Sequence, residues 1–276
     1  MPELPEVETV RNELSPFVIG RTITGITLLW EGIVRQPSVE EFCSRVMGQK
    51  ITGLARRGKY LIFDLSSGDL LIIHLKMTGS LIIGQPSSEP PRFTRAIIHL
   101  DQDTDVFFRD PRKFGVLKLV TDRNLVTEKL GPEPLEADFT PEILSKRLSR
   151  RSAPIKAVLC EQNVIAGIGS MYADEALFAA GIHPERPGDS LSPDELQRLY
   201  SAIRQILWAA IDNKGASVDT YFRPDGTKGT AHYEFKVAHG RDKSCVVCGT
   251  PIERIVVRGR GTYFCPRCQP VQDSLH

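Results

Sequence analysis

The sequence predicts an α+β protein of two domains, strand-rich in its first half and helical in its second. Three observations carry that reading. Short aliphatic and β-branched runs recur between turn signals from residue 21 to 120. Past Gly131-Pro132-Glu133-Pro134 the apolar spacing lengthens to three and four residues. Two Cys-x-x-Cys pairs then close the chain. The expected partition is residues 1–135, 136–235 and a terminal ribbon at 236–276.

Residues 5 to about 18 read as an amphipathic helix, with Val7, Val10, Leu14 and Phe17 on one face. Pro5 suits its first turn, Glu6 and Glu8 complement the helix dipole, and Gly20 suits the stop. Strands are expected at residues 22–28, 60–63, 70–73, 81–83, 96–98 and 106–108, with a short helix near Val39 to Met47. Many short strands point to a sandwich or barrel. Helices follow at residues 141–150, 155–161, 171–180 and 192–213. The last is the clearest, with Leu196, Leu199, Ile203, Ile206, Leu207 and Ile211 on one stripe. The Gly/Pro/Asp-rich stretch from Gly215 to Gly229 reads as a long mobile loop.

Charge is balanced, with 35 Lys/Arg against 34 Asp/Glu, so net charge does not argue for a polyanionic partner. Local charge is more informative. Arg56-Arg57-Gly58-Lys59, Arg109 to Lys113, and the segment from Arg241 to Gln269 form small basic islands that fit a localised phosphate footprint. No apolar run approaches the ~18 residues that suggest a membrane span. The acidic, proline-broken N-terminus does not read as a secretory signal, so a reducing cytoplasmic compartment is expected.

Cys245-x-x-Cys248 and Cys265-x-x-Cys268 are separated by sixteen residues. Zn²⁺ favours four tetrahedral thiolates, and two knuckles joined by a hairpin supply them. Residues 255–257 and 262–264 read as the hairpin strands, around a turn over Arg258-Gly259-Arg260-Gly261. Four cysteine ligands leave no open position, so one structural zinc is expected. Cys43 and Cys160 read as ordinary buried thiols.

Residue 2 is proline, small enough for the initiator methionine to be removed. The chain would then begin with a secondary amine. An α-amine has a pKa near 7.7–8.0 against about 10.4 for lysine, so far more of it is neutral at pH 7. Such an amine can attack an electrophilic sugar carbon and form an iminium, an electron sink for later eliminations. Glu3 lies beside it as a proton shuttle. Taken alone, a proline at position 2 is common and carries little weight.

In combination, the motifs are more specific. The chain opens Pro2-Glu3-Leu4-Pro5-Glu6-Val7-Glu8-Thr9 and ends Gly259-Arg260-Gly261-Thr262-Tyr263-Phe264-Cys265-Pro266-Arg267-Cys268-Gln269. Between lie Arg56 to Leu61, His74 to Gly79, Asp110 to Gly115, Leu130 to Leu135 and Gly167 to Glu175. In this order, and along nearly its whole length, the chain resembles bacterial formamidopyrimidine-DNA glycosylases, also called 8-oxoguanine-DNA glycosylases. The resemblance implies an N-terminal β-sandwich flanked by helices, a helix–two-turn–helix module and a zinc ribbon. It implies a monomer acting on duplex DNA with an oxidised purine opposite cytosine, in the bacterial cytoplasm at the nucleoid.

By that resemblance, Pro2 matches the nucleophile that displaces the base and forms a Schiff base, and Glu3 its partner acid. Lys59 matches the lysine of β-elimination, and Arg260 the arginine that grips the flanking phosphates and supports δ-elimination. Met77, Arg112 and Phe114 match the side chains that fill the gap left by the flipped nucleotide; by periodicity alone Met77 and Phe114 would be core. His74, Phe93, Arg151, Lys156 and Ser170 fall at positions of phosphate contacts. Ser170 stands where the family usually has asparagine, Phe93 where histidine is common, His239 where tyrosine is usual, and Ala216 where a second glycine opens the base-reading loop. Two other readings compete. An endonuclease VIII-like enzyme for oxidised pyrimidines is opposed by Leu4 and the Met77/Arg112/Phe114 set. A non-catalytic zinc-ribbon DNA binder is opposed by the intact Pro2-Glu3.

Overall fold

The structure, a computed structural model, describes residues 1–218, 220–240 and 243–271. It divides into two compact units, Met1–Glu128 with Ile211–His232, and Lys129–Ala210 with the described residues from Tyr233 onward.

The first unit opens with α1 (Leu4–Val18). Val7, Val10, Leu14 and Val18 form its wholly buried stripe, while Phe17, expected there, is 49% exposed. At 100° per residue these four span about 80°, and Phe17 falls about 20° outside them, beyond Val10. Beyond Ile19, Gly20 turns the chain at φ +85°. Then come β1 (Ile23–Leu28), β2 (Val34–Gln36) and α2 (Val39–Val46), whose cap Ser38 accepts a hydrogen bond from the Glu41 amide. The strands β3 (Ile51–Arg57), β4 (Tyr60–Leu65), β5 (Leu70–His74), β6 (Ser80–Gly84), β7 (Thr94–Leu100), β8 (Thr104–Arg109) and β9 (Val116–Val120) follow, then the single turn α3 (Asn124–Thr127).

These strands make the expected sandwich. One sheet runs β1-β7-β8-β6, the other β2-β9-β5-β4-β3, all antiparallel except β2 against β9. Alternation sets the core: Leu61, Phe63, Leu71, Ile73, Leu117 and Leu119 join Ile98, Val106, Phe108 and the α1 stripe in one cluster. Ile62, Ile72 and Val120 point to the opposite face, where Val126 of α3 packs. Each such buried aliphatic or aromatic side chain contributes about 1.5–3 kcal/mol. β2, β3 and β9 were not expected. β2 is only three residues long, and in β3 and β9 basic side chains (Arg56, Arg57, Lys118) interrupt the apolar pattern.

The second unit holds α4 (Pro141–Leu148), α5 (Ile155–Leu159), α6 (Ser170–Ala180), most of α7 (Pro193–Asp212), β10 (Glu253–Val257) and β11 (Arg260–Phe264). Between α5 and α6, Gln162 binds the turns together. Its amide donates to the Cys160 and Ile168 carbonyls at 3.1 and 2.8 Å and accepts from Gly167 at 2.9 Å. No described helix is long and apolar enough to cross a membrane.

Three expectations about organisation differ from this division. The break falls at residue 128, not 135. The ribbon clusters with the helices, sharing with Phe178 of α6 a small core of Val237, Cys245, Ile252 and Cys265. Residues 211–232, expected within the helical domain, belong to the sandwich unit. Backbone and side-chain bonds tie them there: Ile83 N–H to the Pro224 carbonyl at 2.8 Å, Phe222 N–H to Ser80 Oγ at 3.1 Å, and Arg223 to Glu13 at 2.7 Å. The stretch read as a mobile loop is thus a bonded element over most of its length. Asp219, Arg241 of the terminal basic island, and Asp242 lie outside the described residues.

Candidate active site and nucleic-acid interface

Pro2 and Glu3 lie buried where the chain enters α1. Glu6 fixes that entry. Its Oε2 accepts the Glu3 amide at 2.7 Å, and its Oε1 accepts the Ala216 amide at 2.7 Å. One fully buried carboxylate therefore joins the N-terminus to the opening of the 215–229 segment. Gly215 needs to be glycine here. Its φ is +76°, and a Cβ would come within 2.9 Å of Glu6 Cγ. Farther along, Ser217 Oγ donates to the Tyr221 carbonyl and accepts the Gly229 amide, both at 2.9 Å.

Lys59 sits in the two-residue turn between β3 and β4, where Arg57 pairs with Tyr60 and Gly58 takes φ +56°. It is only 5% exposed. Arg56 braces the turn, donating from Nη1 to the Gly58 carbonyl at 3.1 Å and from Nε to Glu8 Oε2 at 2.7 Å. Across the ladder Tyr60 faces His74, their rings edge to face at 4.6 Å. Burial, then the Lys76 and Lys59 charges, lowers the His74 pKa to about 3. His74 is thus a neutral imidazole whose Nδ1 accepts the Lys76 amide at 2.9 Å.

Met77 and Phe114 are 41% and 44% exposed, unlike core residues of their type. The Arg112 guanidinium stacks over the Phe114 ring at 4.7 Å. The organiser is Asp110, fully buried and given no role by the sequence reading. Its Oδ2 accepts the Phe114 and Gly115 amides at 2.7 Å, and its Oδ1 accepts the Arg112 amide at 3.3 Å and the Thr78 hydroxyl. One carboxylate so joins the Met77 turn to the Arg112–Phe114 turn. The signal available in sequence was an Asp-Pro turn start, a position where an Asp side chain commonly bonds backbone ahead of it. Phe93 holds φ +73° with the Arg92 guanidinium 4.5 Å from its ring, so an aromatic–cation stack stands at that position.

In the second unit two expected phosphate contacts are placed otherwise. Lys156 is 0% exposed, its ammonium bonded to Asp174 and, at 3.3 Å, to the Gly261 carbonyl. Ser170 Oγ donates to the same carbonyl at 3.1 Å. Both turn inward to the half-buried edge of β11, where the Gly261 carbonyl offers an acceptor that β10 does not meet. Arg151 stays partly exposed, 3.2 Å from Glu161. Glu175, another residue the sequence reading left without a role, accepts the amides of Lys236, Val237 and Ala238 at 2.7 to 3.0 Å, anchoring the chain that leads to the ribbon. His239 takes φ +56° with its ring 5.7 Å from Tyr263.

Arg260 was expected at the tip of the ribbon. Val257 pairs with Arg260, so the turn is Arg258-Gly259, at φ +47° and +77°, and Arg260 is the exposed first residue of β11. The Sγ atoms of Cys245, Cys248, Cys265 and Cys268 all lie within 4.8 Å of one another, at 3.4 Å for Cys248–Cys265 and 3.8 Å for Cys245–Cys268. Thiolates around one tetrahedral zinc stand about 3.8 Å apart, so the donor set fits the metal.

Comparison with known proteins agrees along the chain. Residues 1–117 match the formamidopyrimidine-DNA glycosylase N-terminal domain, 130–221 its H2TH domain, and 242–271 a zinc finger found in FPG and IleRS. The chain is 44% identical to a formamidopyrimidine-DNA glycosylase of Chloroflexus aurantiacus over 98% of both chains. It is 40% identical to one of Geobacillus kaustophilus, over 98% of this chain and 100% of that one. The crystal structure of the Thermus thermophilus FPG protein superposes with a TM-score of 0.89 at 38% identity, covering 99% of this chain and 100% of that one. Lactococcus lactis Fpg bound to abasic-site DNA superposes at 0.91 and 35% identity, covering 98% and 100%. With three domain models in register and full-length relatives above 40% identity, the chain belongs to the formamidopyrimidine-DNA glycosylase family.

Proposed function

We propose that this chain excises oxidised purines opposite cytosine from duplex DNA and then cuts the strand, with Pro2 as nucleophile. The carrying observation is the setting of the N-terminus: Pro2 and Glu3 enter a helix whose Glu6 also holds the 215–229 segment and whose Glu8 braces the Lys59 turn.

While Met1 remains, the Pro2 nitrogen is an amide and cannot attack; removal of Met1 exposes a secondary amine. That amine bonds to C1′ as the damaged base leaves with the glycosidic electron pair and takes a proton. Opening of the sugar then gives an iminium between Pro2 and C1′. Glu3, buried beside Pro2, exchanges protons with the sugar oxygen in this reading. Loss of a C2′ proton with departure of the 3′ phosphate completes β-elimination, served by Lys59. Loss of the C4′ proton with departure of the 5′ phosphate completes δ-elimination, supported by Arg260 at a phosphate. Met77, Arg112 and Phe114 fill the vacated stack, with the guanidinium facing the orphaned base. Among the expected phosphate contacts, Arg151 and the neutral His74 keep that role. Lys156 and Ser170 serve inside the protein.

Zinc held by the four cysteines supplies no chemistry to these steps; it would fix the β10–β11 hairpin that carries Arg260. In this reading the protein acts as a monomer at the bacterial nucleoid. The reading is tested by base release from duplexes carrying 8-oxoguanine opposite each of the four bases, with a thymine glycol duplex alongside. Release fastest opposite cytosine supports it. Faster release of the oxidised pyrimidine favours the endonuclease VIII-like reading.

A further inference from the structure

The β10–β11 ribbon has two strands, so β11 presents a second edge that β10 does not pair. Thr262, fully buried, faces Ile255 of β10, and strand geometry turns the polar groups of Gly261 and Tyr263 to the other side. Side chains of α5 and α6 take up both. The Gly261 carbonyl accepts from Ser170 Oγ at 3.1 Å and Lys156 Nζ at 3.3 Å, and the Tyr263 amide donates to Asp174 Oδ2 at 3.2 Å. Asp174 Oδ1 closes the set by pairing with Lys156. Lys156 and Asp174 are both buried, so their polar atoms are committed to each other and to this strand edge. Arg260 lies immediately before the gripped peptide, its side chain exposed.

We propose that Ser170, Lys156 and Asp174 form a clamp on the edge of β11 that positions Arg260 for δ-elimination. The inference rests on the role given to Arg260 above. Ser170 is the member that distinguishes this chain: where the family resemblance implies an asparagine reaching for phosphate, a shorter hydroxyl turns inward to the ribbon. These are positioning residues and touch no reacting atom. Zinc held by the four cysteines would fix the ribbon at that end, and the clamp fixes the strand end that carries Arg260.

The test compares Ser170→Ala, Ser170→Thr, Asp174→Asn and Arg260→Ala with the parent, all in the zinc-loaded full chain. Two readouts are taken: the ratio of δ- to β-elimination product from an abasic-site duplex, normalised to Schiff-base adduct, and amide hydrogen exchange of the segment spanning Gly261 to Tyr263. Ser170→Ala should lower the ratio about three- to tenfold, the worth of one neutral hydrogen bond. Asp174→Asn should lower it further and speed exchange of the Tyr263 amide, and Ser170→Thr, which keeps the hydroxyl, should restore the parent ratio. A general loosening of the fold would depress both eliminations together and leave the ratio alone. If Arg260→Ala leaves the ratio unchanged, the role of Arg260 is wrong, and exchange at Tyr263 alone decides whether the clamp exists. Parent-like ratio and exchange in both Ser170→Ala and Asp174→Asn overturn the proposal.

Discussion

Arg56 donates from Nε to Glu8 Oε2 at 2.7 Å, and its Nη1 reaches the Gly58 carbonyl at 3.1 Å, so one guanidinium links the helix that begins at Pro2 with the turn that carries Lys59. Arg11 closes on the same carboxylate. The nucleophile and the elimination lysine, 57 positions apart, are thereby referred to one frame.

Glu8→Gln should therefore slow β-elimination on an abasic-site duplex about tenfold, since bonds to charged groups contribute about 1.5–3 kcal/mol. The pH dependence has a definite sign. Burial raises the Glu8 pKa, but Arg11 and Arg56 more than offset this and leave it below 4.5. A depressed carboxylate stabilises the fold above its unfolded pKa, and that contribution is lost as pH falls through the folded value. The Tm difference between parent and Glu8→Gln should be full at pH 7 and close below pH about 4. A difference constant across that range contradicts the ion pair.

His74 works in the opposite sense. Its folded pKa near 3, against 6.5, means the unfolded chain takes up a proton first as pH falls. Stability should decline between pH 6.5 and 3, by up to about 1.4 kcal/mol per pH unit from this group. His74→Asn should remove that slope in denaturant titrations at pH 7 and 5. Equal slopes would show that the imidazole is not buried neutral.

Asp110 accepts from both gap-filling turns, and Asp110→Asn replaces one of its acceptor oxygens with a donor. Excision of 8-oxoguanine from duplex DNA should fall about 10- to 100-fold, the cost of leaving a buried donor unmatched. Cleavage of a single-stranded abasic site, which presents no stack to fill, should fall far less. Equal losses on both substrates would mean that Asp110 supports the fold and not the gap-filling geometry.

Cysteine ligation can be separated from the sandwich because, among the described residues, the ribbon shares its small core with α6 of its own unit. Chelation, or Cys248→Ser, should weaken binding to an abasic-site duplex at least about tenfold, since zinc binding in such ribbons is itself folding free energy. The unfolding transition of the sandwich unit should persist. Its loss together with the zinc would contradict this separation.

Much of this was legible before the structure, for identifiable reasons. Apolar spacing located α1 and α7 closely, because each buries a continuous stripe; α6, buried on nearly every side, was located by its small and apolar run. Paired cysteines located the metal because thiolate spacing is itself the chemistry. The errors arose where position depends on partners distant in sequence. Residues 215–229 read as loose because their acceptors, Glu6 and Ser80, lie more than a hundred residues upstream. Lys156 and Ser170 read as surface contacts because the carbonyl that receives them is Gly261. Asp110 and Glu175 were passed over, and Glu6 was read only as a complement to the helix dipole, for a related reason: each is an acid whose work is to collect backbone amides, and composition does not distinguish that from a solvated charge.

The central claim is that catalysis begins at the Pro2 nitrogen. Borohydride reduction of the Met1-free protein on a duplex with one 8-oxoguanine opposite cytosine tests it most directly, beside Pro2→Gly and a chain that retains Met1. The account predicts a covalent adduct mapped by mass spectrometry to the Pro2 nitrogen and absent while Met1 remains. An adduct on a lysine, or undiminished trapping with Met1 in place, would contradict it.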